Sequence, residues 1–252
     1  MAKGKGAVSA GLAIPAFLGS FGGAFDFIFS QRESVQAGEP IGGLAQIWDL
    51  LATQMAVSIL ALLLAIAIAL PIGLWLGHRG VGEFAAVAIG NAGRAIPELA
   101  LIALMVAFIG TGVLNVTIAV TVLGIPPILT NAFVGMRQVD RGAVDAARGM
   151  GMTELEIIRR VELPLAIPTI MGGVRTASVN IIATSTIGSI AGVNTLGDLI
   201  LGQATYGTEG VIAGAIVVAL LALTFELILA AVQRTLTPRG LVLQRAAARA
   251  SA

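Results

Sequence analysis

The side chains of this sequence that could take part in chemistry are few, and several lie inside apolar segments. Arg94 and Glu98 are four residues apart and flank Pro97, and Arg175 interrupts another apolar stretch. Three polar residues that follow Arg175 repeat at a spacing of four and so share one helix face: Thr176, Asn180 and Thr184. Polar groups at membrane depth usually face protein or water, so this set predicts a polar path for a solute. Packing between helices is the alternative explanation, and an ion pair is the alternative for the charged residues.

Catalytic chemistry is not predicted. The chain has no cysteine, and its one histidine, His78, is expected at the membrane edge beside Arg79. No group of His, Cys or paired carboxylates marks a catalytic or metal site, and no G-x-x-x-x-G-K-[ST] phosphate loop occurs. We therefore expect neither an enzyme nor a cofactor in this chain. With a net charge of +1, nothing indicates a nucleic-acid partner.

A charged block, residues 140–162, stands between two apolar regions and has its own helix signals. Asp140 is a candidate N-cap for a first short helix, and the glycines at 149 and 151 break it. Thr153 and Glu156 have the spacing of a capping box, which starts a second helix. Pro164 is expected to end that helix and to open the next span. Apolar residues should line one side of the block, among them Val144 and Leu155, and charged residues the other. This pattern predicts a docking element for a soluble partner.

The elements that must position these residues are transmembrane helices. Hydrophobic residues make up 57% of the chain and charged residues 12%, whereas soluble domains are about 25% charged. Residues 50–77 and 99–136 contain no charge, and each run is long enough to cross a bilayer core of about 30 Å. Helices are expected because backbone groups in lipid must be hydrogen-bonded internally. The sequence predicts an all-α, polytopic protein with five core spans, at about 51–77, 83–109 with a break near Pro97, 113–135, 164–190 and 209–233.

Basic residues in the short loops predict the orientation. They follow the first, third and fifth spans, so the charged block and the C-terminus should be cytoplasmic and residues 31–49 outside. We divide the chain into an N-terminal segment (1–45), a transmembrane domain (46–235) and a basic cytoplasmic tail (236–252). Within the first segment, residues 7–29 are either a sixth span, which we favour, or an interfacial helix, or an uncleaved signal-like segment.

The charged block resembles the "EAA" loop of ATP-binding-cassette importer permeases. That pattern has E-A-A, a glycine after three further residues, and I-x-L-P after another nine. The matching residues here are Asp145-Ala146-Ala147, Gly151 and Val161-Glu162-Leu163-Pro164, with Asp for Glu and Val for Ile. In that family the loop docks into a groove of the ATPase. The resemblance therefore implies an ATPase-coupling role for seven residues, namely Asp145, Ala146, Ala147, Gly151, Glu156, Leu163 and Pro164.

Longer stretches, "NAGRAIPELALIALM" (91–105) and "NTLGDLILGQ" (194–203), resemble the permeases for glycine betaine, choline, carnitine and proline. The resemblance covers about residues 45–235. It implies type I importer architecture in the cell membrane, a dimeric ATPase partner that holds ATP and Mg, a second permease copy or paralogue, and an extracytoplasmic substrate-binding protein. For the path it leaves Arg94, Glu98, Arg175, Thr176, Asn180 and Thr184 as candidates.

Three alternatives remain open from the sequence. An importer permease for another small solute, such as methionine, would share the coupling loop. An ion-coupled secondary transporter would need an internal repeat of the broken helix, and no second copy of the Pro97 region is found. A non-transporting membrane subunit or enzyme would need a group of His, Cys or paired carboxylates at one depth, and the sequence has none.

Overall fold

The computed structural model describes residues 19–36, 38–238 and 240, except for the side chain of Arg94. Residues 19–29 form helix α1, and a short hairpin of β1 (Gln31–Glu33) and β2 (Pro40–Gly42) follows. The other helices, in chain order, are α2 (Gly43–Arg79), α3 (Glu83–Ala95), α4 (Glu98–Ile109), α5 (Val113–Arg137), α6 (Arg141–Gly149), α7 (Glu154–Ile157), α8 (Leu163–Thr186), α9 (Gly197–Leu201) and α10 (Gln203–Leu236). A π-helical segment (Ile158–Glu162) joins α7 to α8, and a 3₁₀ segment (Ile187–Ala191) follows α8.

Among the described residues, four helical runs are long and apolar enough to cross a membrane, and one bent helix pair makes a fifth crossing if it counts as a single span. Five is the number that the sequence predicts. Helices α2, α5 and α10 are each long and apolar enough to span a membrane, and so is the run Glu154–Ala191 that contains α8. The bent pair, which we call the broken crossing, consists of Glu83–Gly93 and Glu98–Ile109, which meet at 90° as in a broken span or a re-entrant loop. The break lies at Pro97, where the pattern predicts it, because proline cannot donate the backbone hydrogen bond that would continue the helix.

Two predicted helix boundaries are wrong. Helix α2 begins at Gly43 rather than near residue 51, because a helix continues into the interface beyond its charge-free part. The second helix of the charged block does not end at Pro164. The backbone stays helical through Ile158 and Glu162, and Pro164 lies in the first turn of α8. Proline has no backbone N–H to donate, and the wider π turn immediately before Pro164 lets the helix continue without that hydrogen bond.

Small residues allow α2 and α5 to pack closely. A Cβ atom at Gly73 would lie 2.8 Å from the Leu129 carbonyl oxygen, and one at Gly77 would lie 2.8 Å from the Phe133 carbonyl oxygen. The two glycines are four residues apart, so both lie on the face of α2 that meets α5. This small-xxx-small contact fixes the centre of the bundle.

A buried polar network joins α2 to α8. The Gln54 amide nitrogen donates to the Ile182 carbonyl oxygen at 3.1 Å and to the Thr186 hydroxyl at 2.9 Å. Its amide oxygen accepts from the Leu196 backbone N–H at 3.1 Å. Ser58 and Ser185 lie 3.0 Å apart one turn further along. Since all of these groups are buried, the network fixes the register between the two helices.

The two ends of the bundle differ in character. We call the end with β1 and β2 the hairpin end, and the end with residues 137–162 the charged end. At the hairpin end, Arg32 forms ion pairs with Asp26 and Glu209. The pairs join α1 and the hairpin to the start of α10.

The expected N-terminal span lies only partly within the described residues. Residues 19–29 are helical, and Phe27 packs edge-on against Tyr206 with ring centroids 6.4 Å apart. The remainder of the predicted segment, residues 7–18, lies outside the described residues. So does most of the predicted tail, residue 239 and residues 241–252.

Candidate functional site

The first helix of the charged block forms as its sequence predicts. The Asp140 side chain accepts a hydrogen bond from the Gly142 backbone N–H at 3.0 Å, which confirms the predicted N-cap. The chain then turns at Gly151, where φ is +82°. A side chain other than glycine is strained in that region. Since no atom lies within 4 Å of a Cβ built at Gly151, backbone conformation rather than space within the chain requires the glycine.

The predicted capping box is present at the start of the second helix. The Thr153 hydroxyl accepts from the Glu156 backbone N–H at 3.4 Å, and the Glu156 carboxylate accepts from the Thr153 backbone N–H at 3.0 Å. The pair therefore satisfies two backbone donors that the helix start would otherwise leave free. Glu156, for which the family resemblance implies an ATPase-coupling role, therefore also helps to build the block itself.

One side of the block is buried against the bundle and the other is open. Val144 and Ala147 are both 1% exposed and pack in a cluster with Met136 of α5 and Ala166 of α8. The open side combines exposed charged and apolar side chains: Asp145, Arg148, Met150, Glu154 and Leu155. Leu155, which the sequence pattern places on the apolar side with Val144, is 59% exposed. A surface that mixes exposed apolar and charged side chains is suited to a protein partner.

Arg148 organises the charges of the open side. Its guanidinium donates to both Glu154 carboxylate oxygens at 3.2 Å and lies 3.4 Å from an Asp145 carboxylate oxygen. The Glu154 carboxylate raises the pKa of Arg148. The contacts connect α6 to α7 across the glycine elbow, so the two short helices present one surface.

Sequence reasoning missed a buried contact between the block and α2. His78 Nδ1 lies 2.5 Å from a Glu162 carboxylate oxygen, and His78 Nε2 lies 2.9 Å from a Glu154 carboxylate oxygen. The His78 side chain is 3% exposed and that of Glu162 is 0% exposed. The other Glu162 oxygen is buried with no hydrogen-bond partner in the described structure. No local pattern could have found this contact, because 84 residues separate His78 from Glu162.

A cavity of about 290 Å³ lies where the broken crossing meets α5 and α8. It brings together Glu98 from the start of α4 and Thr176 and Asn180 from α8. Helix α3 approaches α5 closely here, since a Cβ atom at Gly93 would lie 2.2 Å from Pro126. Three of the six side chains predicted to line a path therefore share one polar cavity inside the bundle.

A second cavity, of about 450 Å³, opens on the other side of Thr176 and Asn180 and includes Arg175 and Glu226. The Arg175 guanidinium pairs with Glu226 and also donates to Gln233 at 2.9 Å. These contacts join α8 to α10, as the ion-pair alternative predicts. Arg175 thus both connects two helices and lines the cavity wall.

Thr184 behaves differently from the other two residues of its helix face. Its side chain is 0% exposed, its hydroxyl has no hydrogen-bond partner among the described residues, and it lines neither of these cavities. The face of α8 that borders the cavities at Thr176 and Asn180 is therefore covered by neighbouring parts of the bundle at Thr184, one turn further along. The sixth predicted residue, Arg94, has a backbone in α3 and a side chain outside the described structure.

The sequence also matches known proteins. Residues 69–239 match the family described as the binding-protein-dependent transport system inner membrane component. Among relatives, the chain is 36% identical over 186 residues to the glycine betaine/carnitine/choline transport system permease protein OpuCB of Bacillus subtilis, covering 73% of this chain and 86% of that protein. It is 34% identical to the osmoprotectant import permease protein OsmW of Salmonella typhimurium, covering 72% and 87%.

Solved structures show the same fold. The inward-facing MetNI methionine ABC transporter superposes with a TM-score of 0.70 at 20% identity, covering 77% of this chain and 98% of that chain. An amino acid ABC transporter with histidines gives a TM-score of 0.62 at 21% identity, covering 76% and 94%. At these identities the likeness concerns the arrangement of helices only.

Proposed function

This chain belongs to the family of binding-protein-dependent transport system inner membrane components, and from that premise we propose that it is the permease of an ATP-driven importer for osmoprotectants. The observation that carries the proposal is the charged block. Its open side presents a fixed polar and apolar surface, and its buried side is packed into the same helices that line the polar cavity. An ATPase bound to the open side can therefore move the helices that line the cavity.

The substrate class follows from the relatives. Both OpuCB and OsmW carry osmoprotectant names, and the identity to each extends over more than two thirds of both chains. We propose a small quaternary ammonium compound, such as glycine betaine, choline or carnitine, as the solute. A separate extracytoplasmic binding protein delivers it, since an aromatic cage suits such a cation and aromatic residues are only 5% of this chain.

The proposed partners are an ATPase, which docks on the charged block, and a second permease, which completes the pathway. The charged block, which lies on the cytoplasmic side in this proposal, docks on an ATPase that holds ATP and Mg. The block engages it through Asp145, Ala146, Gly151 and neighbouring side chains. Five crossings provide one half of a pathway, so a second permease, either a copy or a paralogue, completes it around a two-fold axis. The C-terminus then lies in the cytoplasm.

One continuous helical run connects the docking surface for the ATPase to the cavity of the proposed translocation path. Glu154 to Ala191 is helical throughout, and Asn180 lies 26 residues beyond Glu154, which is about 39 Å along the axis. A shift of α7 is carried along a single rigid element to the cavity wall. The π segment at Ile158–Glu162 is the one irregular turn on that route, and such turns often mark functional sites.

Reconstitution tests the proposed function. The chain would be co-expressed with its cognate ATPase and binding protein, purified as a complex, and placed in proteoliposomes with ATP inside. We expect uptake of radiolabelled glycine betaine, choline or carnitine that requires both the binding protein and ATP hydrolysis. Uptake of methionine in their place, or uptake driven by an ion gradient without ATP, would refute the proposal.

Asn180 provides a test of the path. Asn180 of α8 lines both membrane cavities, so Asn180→Leu puts an apolar side chain into each of them. We expect uptake to fall by about tenfold, with ATPase association intact. The matched control is Ala183→Leu, which adds the same side chain at an exposed position of α8 that lines neither cavity. Equal uptake by the two variants would show that Asn180 does not line the path.

A further inference from the structure

A third cavity, at the hairpin end, has the chemistry of a cation site. Its volume is about 660 Å³, and it lies between the start of α2, the end of α8, α9 and the start of α10. That size is within the range of pockets that hold small ligands. Neither the charged block nor the two membrane cavities include any of its lining residues.

The charges around this cavity are all of one sign. Asp49 of α2 and Asp198 of α9 line it, and no lysine, arginine or histidine does. Within the described part of the chain, neither carboxylate forms an ion pair. Burial raises the pKa of Asp198, and a hydrogen bond from the Thr195 backbone opposes that effect. A nearby cation would relieve the cost of keeping this carboxylate ionised.

Two further features favour a cation over an anion. Ser189 and Ile190, in the 3₁₀ turn that ends the long α8 run, line the cavity, and a helix C-terminus carries partial negative charge. The ring of Tyr206 also lines it. That ring is held from two sides, by Phe27 packed edge-on and by the Gln46 amide, which donates to the Tyr206 hydroxyl at 3.4 Å. A fixed aromatic ring beside carboxylates suits a quaternary ammonium group.

We propose that this cavity is an entry site for the quaternary ammonium head of the solute, formed by Asp49, Asp198 and Tyr206 at the mouth of the permease. The inference rests on the proposed function for the identity of the solute. A single aromatic ring cannot enclose the head as a cage would. The site therefore receives the solute from the binding protein and releases it towards the polar cavities, and its affinity is low.

The absence of cysteine from the chain makes a direct test clean. Asn194 lines the cavity and is exposed, so Asn194→Cys introduces a single reporter thiol. The assembled permease–ATPase complex in nanodiscs would be treated with two methanethiosulfonate reagents, one bearing a trimethylammonium group and one a sulfonate. The control thiol is Val35→Cys, which is 71% exposed at the same end, outside the cavity and near Glu33.

We expect the ratio of cationic to anionic labelling rates to be about tenfold higher at position 194 than at position 35, because carboxylates in a concave site concentrate cations. The Asp49→Asn/Asp198→Asn pair should bring the ratio down to the control value. Millimolar choline or glycine betaine should slow labelling at 194 and not at 35, and Tyr206→Leu should remove that protection while Tyr206→Phe keeps it.

The outcomes separate this inference from the proposed function. A labelling ratio at 194 equal to that at 35, a ratio unchanged by the two Asn substitutions, or no protection by either solute would each overturn the entry site. The labelling assay needs no transport. Loss of the entry site with ATP-driven betaine uptake intact would leave the proposed function standing, and a protected site in a complex that imports only methionine would refute the function instead.

Discussion

Replacing His78 with alanine is expected to detach the charged block from α2. The substitution removes the contact to Glu162 at 2.5 Å and the contact to Glu154 at 2.9 Å. Glu162 is 0% exposed, so its buried carboxylate would lose the one side-chain hydrogen bond that it makes among the described residues. Breaking a buried pair by removing one partner costs about 3–5 kcal/mol. We expect a large loss of thermal stability of the purified chain and weak retention of the ATPase.

The neighbouring residue provides the matched control for His78. Arg79 is exposed and stacks over the Trp75 ring at 4.5 Å, so Arg79→Ala should change stability little. A second variant separates charge from packing. Adding Glu162→Gln to His78→Ala removes the buried charge along with its partner and should restore part of the stability, since an unpaired charge costs more than an absent pair. If His78→Ala and Arg79→Ala unfold at the same temperature, the buried pair does not hold the block.

Substitution of Gly151 by valine is expected to disrupt the docking surface itself. Gly151 has φ of +82°, and a β-branched residue in that conformation costs about 1–3 kcal/mol. The chain can relieve that strain only by changing the angle between α6 and α7, which would move Arg148 away from Glu154. Since the elbow is exposed, the bundle should still fold. We expect ATPase binding to fall by roughly 10- to 100-fold, with hydrolysis uncoupled from uptake.

Gly149 gives the control for conformation. It lies two residues earlier, is also exposed, and has no atom within 4 Å of a built Cβ, but it is helical and its φ is not positive. Gly149→Val should therefore keep most of the coupled uptake. Asp145→Ala is a companion that leaves the backbone alone, and the loss of a charged hydrogen bond to the partner would cost about 1.5–3 kcal/mol. If the Gly151→Val and Asp145→Ala variants both keep full coupled transport, residues 140–162 are not the docking surface for the ATPase.

The two predictions concern opposite sides of the same block. His78 tests the side that faces the bundle, and Gly151 tests the side that faces the motor. A defect in His78→Ala should appear in the chain alone, whereas a defect in Gly151→Val should appear only in the complex. Thermal unfolding of the isolated permease beside pull-down of the ATPase distinguishes them.

Much of the architecture follows from short windows of sequence. Charge-free runs predict the crossings because bilayer thickness sets a length that 20 or so apolar residues must meet. Asp140, Thr153 and Glu156 predict their own caps, because the atoms they satisfy lie within three residues. The turn at Gly151 is similarly local. Each of these depends on backbone geometry that one or two helical turns of sequence specify.

What only the tertiary structure decides is which distant side chains meet. The pairs His78–Glu162 and Arg175–Glu226 each join residues of two different helical segments. The sequence of one helix does not show which other helix it packs against, or how the two helices are rotated relative to each other. The same holds for Thr184, which the spacing of four places beside Asn180, while the packing of neighbouring helices buries it. Continuity of α7 with α8 through Pro164 also depends on context, because a π turn accommodates a proline that local propensity alone would treat as a stop. Periodicity determines the side of a helix on which a residue lies, and close packing across the bundle decides what that side touches.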